Sequence, residues 1–284
     1  MDIPTKNNRK ILVTQALPYA NAPLHLGHIL EAVQTDIWTR FQNLNGNECH
    51  FFCADDTHGT PVMLKANEMG ITPEKLIEDV YQDHKSTYEL YDINFANFYS
   101  THSDENKKYS EFIYKCAKEN KLISKSVVEQ YFDETEKMFL SDRFIKGTCP
   151  KCGAENQHGD NCGVCGASYN VLEIENPVST ISNTKPVKKE SEHIFFDLPA
   201  KRDMLKEFIE KVDIQESIKN KLKEWLGDDL KKWDISRDAP YFGFEIPGED
   251  NKFFYVWVDA PIGYIASISN WANSNRIEME DLWS

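Results

Sequence analysis

The chain has 284 residues, of which 40% are hydrophobic and 12% aromatic; this supplies a sizeable core and excludes a disordered protein. The formal net charge of −14 excludes nucleic-acid binding through a bulk cationic field, so any such contact needs a local basic patch. No apolar run approaches the roughly 18 residues of a membrane helix, and the polar start of the chain lacks the apolar region of a secretory signal. We therefore expect a soluble, cytoplasmic protein.

The first hundred residues predict alternating strands and helices. The strands are short apolar runs, and the helices show apolar side chains at helical spacing or a capping residue followed by Pro and Glu. The predicted elements are strands at Lys10–Gln15 and Cys49–Ala54 and helices from Leu26 to Phe41 and from Thr72 onward. This order favours a Rossmann-like parallel α/β sheet, in which ligands bind at the C-terminal ends of the strands. Leu17–His28 and Asp55–Gly59 occupy those ends.

The pattern changes after about residue 104. Helical segments follow at 104–120, 199–212 and 216–233, and short strand-like pieces at 127–131 and 138–144. A group of four cysteines occupies 149–165. From Tyr241 the β character returns, and Phe253–Asp259 is a strong candidate for a buried strand. We therefore divide the chain into the first half of a Rossmann-like domain (1–103), an insertion (104–236) and the start of the second half of that domain (237–284).

Four of the seven cysteines have the spacing of a zinc site. Cys149, Cys152, Cys162 and Cys165 form C-x2-C-x9-C-x2-C, with a Gly after the second Cys of each pair, and two such pairs build a closed tetrahedral site. Disulfides are the alternative, but they need an oxidising compartment. Four thiolates leave no open position for a substrate, so we expect one structural Zn²⁺.

His25-Leu26-Gly27-His28 opens the first predicted helix, directly after the first strand. Positions i and i+3 share a helix face, so both imidazoles can point the same way. The helix N-terminus adds N–H groups and a partial positive charge, which favour a phosphate, and Gly27 leaves room for a nucleotide. A core histidine beside a capping histidine is the alternative interpretation of an isolated H-x-x-H.

Two further groups of residues have a functional and a structural interpretation. Asp55-Asp56 ends the second strand. Its carboxylates either stabilise a turn or bind a substrate ammonium. Trp257, Ala260, Pro261 and Tyr264 are either core residues or an apolar pocket that accepts sulfur, since thioethers pack well on aromatic rings.

Together, these motifs resemble the methionyl-tRNA synthetase family of class I aminoacyl-tRNA synthetases. His25–His28 resembles the first class I signature, with Leu in place of Ile. Four other stretches resemble the methionyl family specifically, namely Cys53–Pro61, the four-cysteine group, Trp233–Asp238 and Tyr255–Pro261. The resemblance runs from about residue 10 to residue 270.

The resemblance implies activation of methionine by ATP, with Mg²⁺ accompanying ATP, and transfer to tRNA(Met). His25 and His28 would be catalytic and, with Gly27, would bind ATP; Asp56 would hold the methionine ammonium. The methionine-binding residues would be Ala16, Leu17, Tyr19, Asp56, Trp257, Ala260, Pro261 and Tyr264. Arg237 would lie near the reacting groups, in a role that spacing does not assign.

The second family signature, Lys-Met-Ser-Lys-Ser, and the helical anticodon-binding domain do not occur in this sequence. We therefore expect a fragment of the catalytic domain with impaired activity by itself. Two alternatives stay open: a related class I synthetase for cysteine, leucine or valine, and a non-catalytic zinc-ribbon module that uses the sheet as a scaffold and binds protein or nucleic acid.

Overall fold

A computed structural model describes residues 9–227 and 230–283, and these residues form two compact units. The first, here called the sheet unit, holds the described residues up to Glu119, Tyr241–Glu249 and those from Phe253 onward. The second, the knuckle unit, holds Asn120–Pro240 and Asp250–Lys252.

The helices and strands of the sheet unit that precede residue 120 alternate along the chain. They are β1 (Lys10–Thr14), α1 (Leu26–Leu44), β2 (Glu48–Asp55), α2 (Thr60–Met69), α3 (Pro73–Leu90), β3 (Asn97–Ser100) and α4 (Asp104–Glu119).

The knuckle unit contains mostly short strands and two helices. In chain order these are β4 (Ile123–Asp133), β5 (Met138–Phe139), β6 (Ile145–Thr148), β7 (Gln157–His158), β8 (Glu175–Ser179), β9 (Val187–Phe196), α5 (Arg202–Lys211), α6 (Glu216–Trp225), β10 (Trp233–Asp234) and β11 (Ser236–Asp238).

The last segment of the chain is mainly helical. Its elements are β12 (Lys252–Phe254), α7 (Val256–Asp259), α8 (Ile262–Asn275) and α9 (Glu280–Trp283).

A three-stranded parallel sheet with the order β1-β2-β3 forms the core of the sheet unit. β2 lies in the centre of the sheet and is buried along most of its length. The connections between the parallel strands run through α1 and α3, which place helices on the faces of the sheet. Phe51, Cys53, Tyr88 and Phe98 belong to one buried cluster. In parallel register, Thr14 is opposite Phe52 and Asp55 is opposite Ser100, so the C-terminal ends of all three strands meet at one edge. The mixed α/β fold with a parallel sheet is as predicted.

In the knuckle unit, a long antiparallel pair forms the main sheet. β4 and β9 pair from Ile123 opposite Phe196 to Phe132 opposite Val187, within the order β10-β9-β4-β5. A second sheet, with the order β7-β6-β8, carries the cysteine segment. β9 lies in a stretch, between residues 165 and 199, for which the sequence predicts no helix or strand, because its polar lysines and glutamates hide the strand pattern.

Three predicted elements differ from the structure. β1 is only half-buried although its sequence is an apolar run, since it pairs with β2 alone among the described strands. The predicted helix 216–233 ends at Trp225, and residues 228 and 229 of that prediction lie outside the described residues. The predicted strand Phe253–Asp259 is wrong: the strand stops at Phe254 and one helical turn follows, in which Ala260 N donates to Val256 O at 2.9 Å.

Among the residues that the structure describes, no helix is both long and apolar enough to span a membrane.

Candidate active site

The loop after β1 and the end of β2 are joined by backbone hydrogen bonds. Ala20 N donates to Asp56 O, and Asp56 N donates to Pro18 O, both at 2.8 Å. Tyr19 and Asp56 consequently form an isolated parallel bridge, and the Tyr19 hydroxyl donates to His58 O at 2.8 Å. This pairing brings the segment that leads to α1 next to the carboxylates that follow β2.

His25 and His28 cap the start of α1. His25 Nδ1 accepts hydrogen bonds from the amides of Gly27 at 3.1 Å and His28 at 3.4 Å. In return, the His25 amide donates to His28 Nδ1 at 3.3 Å, which completes a capping box built from two imidazoles. The rings stack with centroids 3.6 Å apart. The two imidazoles therefore share a helix face, as predicted.

This cap fixes the tautomers of both rings. A nitrogen that accepts from a backbone N–H carries no proton, so the neutral imidazoles hold theirs on Nε2. Burial, and then the neighbouring His25 and His84, lower the pKa of His28, which keeps its ring neutral. Each Nε2–H is thus a donor suited to a phosphate oxygen.

The cap changes two details of the predicted phosphate site. The amides of Gly27 and His28 are occupied by His25, and the Ile29 amide donates to His25 O at 3.3 Å, so these three backbone N–H groups already have acceptors within the protein. A Cβ on Gly27 would lie 2.9 Å from His25 Cε1. The space at Gly27 is therefore taken by the capping ring, which is why a glycine suits this position.

Asp56 places an unpaired carboxyl oxygen at the edge of the sheet. Its Oδ1 is buried and has no hydrogen-bond partner among the described residues. Burial, followed by the charges of Asp259 and Asp55, raises the pKa of Asp56 to about 8. Because a buried anion without a partner is costly, this carboxyl is poised to accept a cation.

Asp55 is committed to a structural contact. His84 of α3 lies fully buried, with Nδ1 2.7 Å from Asp55 Oδ1 and Nε2 donating to Ala22 O at 2.8 Å. Burial lowers the pKa of His84, but Asp55 outweighs it and the net pKa is raised. Neither Asp55 nor Asp56 therefore serves only to stabilise a turn. Asp55 anchors the loop through His84, and Asp56 keeps a carboxyl oxygen without a partner. Sequence reasoning missed His84 because it lies alone on a helix.

A second buried histidine also escaped sequence reasoning. His58 contacts the Asp259 carboxylate through Nδ1 and His102 Nδ1 through Nε2, the latter at 3.0 Å. His58 and Asp259 are both 0% exposed. They lie 201 residues apart in the chain, and no local spacing signals such a pair.

The predicted methionine-binding residues lie in two kinds of environment. Burial, followed by Cys53 and Glu31, raises the pKa of Tyr264, and a hydrogen bond with the Leu17 backbone acts against this rise. A Cβ on Gly263 would lie 3.2 Å from Leu17 Cδ1, and Ala260 is buried. The start of α8 therefore lies against Leu17, which belongs to the loop that pairs with Asp56.

Other predicted residues do not join this group. Trp257 is 61% exposed on α7, and Pro261 is also exposed. The Ala16 amide donates to Glu31 Oε1 at 2.7 Å. The pocket roles of these residues stay predictions.

Arg237 lies in the knuckle unit, within a partly buried charged network around the buried His193. Its Nη1 donates to Ser236 O at 2.6 Å and lies 3.6 Å from Asp234 Oδ2. His193 bridges Asp234 at 2.6 Å and Asp238 at 3.0 Å. These contacts hold the backbone that carries Arg237.

The four cysteines form a group that could hold a metal ion. Their sulfur atoms all lie within 4.8 Å of one another, with Cys149 Sγ 3.9 Å from Cys165 Sγ and Cys152 Sγ 3.7 Å from Cys162 Sγ. Zn–S bonds of about 2.3 Å in a tetrahedron place sulfurs about 3.8 Å apart. Gly153 and Gly166, with φ of +73° and +71°, make the two turns. The donor set and spacing fit a zinc knuckle.

A sequence profile of the family described as tRNA synthetases class I (M) matches residues 11–284. The chain belongs to this family. The family assignment predicted from the motifs is therefore confirmed, and the fold is that of a class I synthetase core.

Two solved structures have the same fold as this class I synthetase chain. Both are methionyl-tRNA synthetase of Mycobacterium tuberculosis with methionyl-adenylate, and they match with TM-scores of 0.69 and 0.70 at 20% and 21% sequence identity. The matches cover 92% and 91% of this chain but 47% of each of those chains. The chain thus spans about half the length of the structures it matches.

Proposed function

We propose that this chain carries the amino-acid and ATP sites of a methionine–tRNA ligase. The observation that carries the proposal is the sheet edge itself, where an unpaired buried carboxyl of Asp56 lies beside the loop that delivers two phosphate-donor imidazoles. The solved relatives hold methionyl-adenylate, whose ammonium and phosphate need a carboxylate and a group of donors. These two needs match Asp56 and the Nε2–H groups of His25 and His28.

In the proposed reaction, a methionine carboxylate oxygen attacks the α-phosphorus of ATP, and the bond to pyrophosphate breaks. Asp56 binds the ammonium and so orients the carboxylate. His25 and His28 donate from Nε2 to the α-phosphate oxygens as charge develops there, a positioning and electrostatic role. Gly27 contributes by admitting the His25 ring. Mg²⁺ would accompany the phosphates of ATP, and tRNA(Met) would receive the methionyl group.

The thioether slot is proposed to lie along Leu17, Tyr19 and Tyr264, with Ala260. A hydrogen bond links Tyr264 to the Leu17 backbone, Leu17 belongs to the loop that pairs with Asp56, and an aromatic ring with an aliphatic side chain suits a thioether. Ala16, Trp257 and Pro261 complete the proposed set, and Arg237 is proposed to act near the reacting groups.

We also propose that the knuckle unit is the inserted connective domain and that Cys149, Cys152, Cys162 and Cys165 hold one structural Zn²⁺. The proposed domains stay 1–103, 104–236 and 237–284, and the knuckle unit, which begins at Asn120, makes up most of the second. Zinc would crosslink the two turns and supply no chemistry to the reaction, because four thiolates fill its coordination sphere.

Ligand-induced thermal stabilisation of the 284-residue chain tests this function. We expect methionine to raise the melting temperature more than leucine or cysteine at equal concentration, and ATP with Mg²⁺ to add to the effect. Asp56→Asn should abolish the response to methionine. Leu90→Ala, a change at an 84% exposed side chain, serves as the control that retains it. A larger response to leucine, or none to any amino acid, would contradict the proposal.

A further inference from the structure

The charges of two buried carboxyl groups, Asp259 and Asp55, act on Asp56. Asp259 Oδ1, like Asp56 Oδ1, is buried and lacks a hydrogen-bond partner within the described part of the chain. The charge of Asp259 opposes the ionisation of Asp56 more strongly than that of Asp55 does. Any ligand that needs Asp56 as an anion must therefore overcome repulsion from its neighbour.

One residue is in place to reduce that repulsion. His58 Nδ1 contacts the other oxygen of Asp259, Oδ2, with both side chains fully buried. The proton in this contact belongs on Nδ1, because an ionised carboxylate only accepts. This N–H offsets the charge of Asp259.

The His58 ring is fixed from both ends. Nε2 is hydrogen-bonded to His102 Nδ1 at 3.0 Å, and the exposed His102 ring stacks on Phe242 and Phe244 with centroids 5.1 and 5.8 Å away. On the opposite side, Asn106 Nδ2 donates to Asp259 O at 3.3 Å. Asp259, His58 and His102 thus form a rigid chain from a buried carboxylate to the surface.

We propose that His58, held between Asp259 and His102, is a positioning residue that sets the charge of Asp56 by neutralising the Asp259 carboxylate. The charged groups that act on these hydrogen-bonded side chains are Asp55 and Asp259 for Asp56, and Glu74 and Asp104 for His102. The functional consequence rests on the proposed function, since Asp56 is there the ligand of the substrate ammonium. Removal of His58 would leave Asp259 as an uncompensated buried anion, and Asp56 would then stay protonated at higher pH.

The direct test is a carboxyl ¹³C NMR titration of Asp56 in protein labelled at aspartate, with the signal assigned by Asp56→Asn. We expect Asp259→Asn to lower the titration midpoint of Asp56 and His58→Asn to raise it, by about one pH unit each. The double variant should return to the wild-type value or below it. His50→Asn, a change on β2 at a histidine that contacts Glu48, should leave the midpoint unchanged.

Methionine affinity measured in the same variants gives the functional readout. At pH 6, Asp259→Asn should bind methionine about tenfold more tightly than wild type, and His58→Asn about tenfold more weakly. A merely structural role for His58 predicts additive losses, so failure of the double variant to recover would overturn the inference. If His58→Asn does not fold, an unchanged titration midpoint of Asp56 in Asp259→Asn would overturn the inference. A wild type that binds no methionine at any pH would refute the proposed function instead, and the NMR midpoints would still decide the role of His58.

Discussion

Replacing Asp56 by asparagine should stabilise the ligand-free protein increasingly as the pH rises. The carboxyl has an ordinary pKa of 3.8, and burial followed by Asp259 and Asp55 raises it to about 8 in the folded chain. Between these values the folded protein binds one proton more at this site than the unfolded chain. The contribution of Asp56 to stability is therefore complete below pH 4 and is lost as the pH rises towards 8.

The size of this effect follows from the pKa difference. One pKa unit corresponds to about 1.4 kcal/mol, so the free energy of unfolding of Asp56→Asn relative to wild type should rise by about 1.4 kcal/mol per pH unit between pH 5 and 7. The total offset at pH 7 is about 4 kcal/mol, before the cost of burying an amide is subtracted. The slope is independent of that cost.

Urea unfolding at pH 5, 6 and 7 measures the slope directly. Asp79→Asn, at a side chain 52% exposed, is the matched control and should show little slope. A difference between Asp56→Asn and wild type that is constant across this pH range would mean that the Asp56 carboxyl is already ionised in the folded protein, against this prediction.

Three further predictions concern the helix cap, the reaction and the knuckles. Gly27→Ala should destabilise the protein by about 1 kcal/mol, because the new Cβ clashes with the His25 ring and the cap is lost. In a His25→Ala background the same change should stabilise the protein by up to about 1 kcal/mol, because the clash is gone and alanine favours a helix. Equal effects in both backgrounds, measured by urea unfolding, would exclude the clash. In the intact enzyme, His28→Ala should raise the adenylation barrier by roughly 2–4 kcal/mol and leave methionine affinity unchanged. Pyrophosphate exchange measures the rate and calorimetry measures the affinity. A lower affinity with an unchanged rate would contradict this role of His28. Elemental analysis should find one zinc per chain, and Cys152→Ser should weaken its retention against a chelator, whereas Cys116→Ser should not.

The predicted part of the site is the part that local sequence encodes. His25 and His28 are i and i+3 on one helix, and the four cysteines lie within 17 residues; spacing alone therefore brings each group together. The strand order β1-α1-β2 likewise places Leu17 and Asp56 at one sheet edge, because parallel strands end on the same side.

The contacts that sequence reasoning missed are long-range. His84 reaches Ala22 across 62 residues, and Asp259 reaches His58 across 201. The predicted strand at Phe253–Asp259 failed for a related reason. Its apolar run fits a strand, but in the folded chain Val256 N donates to the Tyr241 hydroxyl at 3.0 Å and the Asp259 carboxylate is held by His58. Such tertiary contacts override local propensity.

Proton release on methionine binding tests whether Asp56 receives the ammonium of the substrate. Titration calorimetry at pH 7 in buffers of different ionisation enthalpy counts the protons. With the pKa of Asp56 raised to about 8, about 0.9 proton per methionine should leave the wild type at pH 7. Methionine binding without proton release, or undiminished binding by Asp56→Asn, would contradict the account.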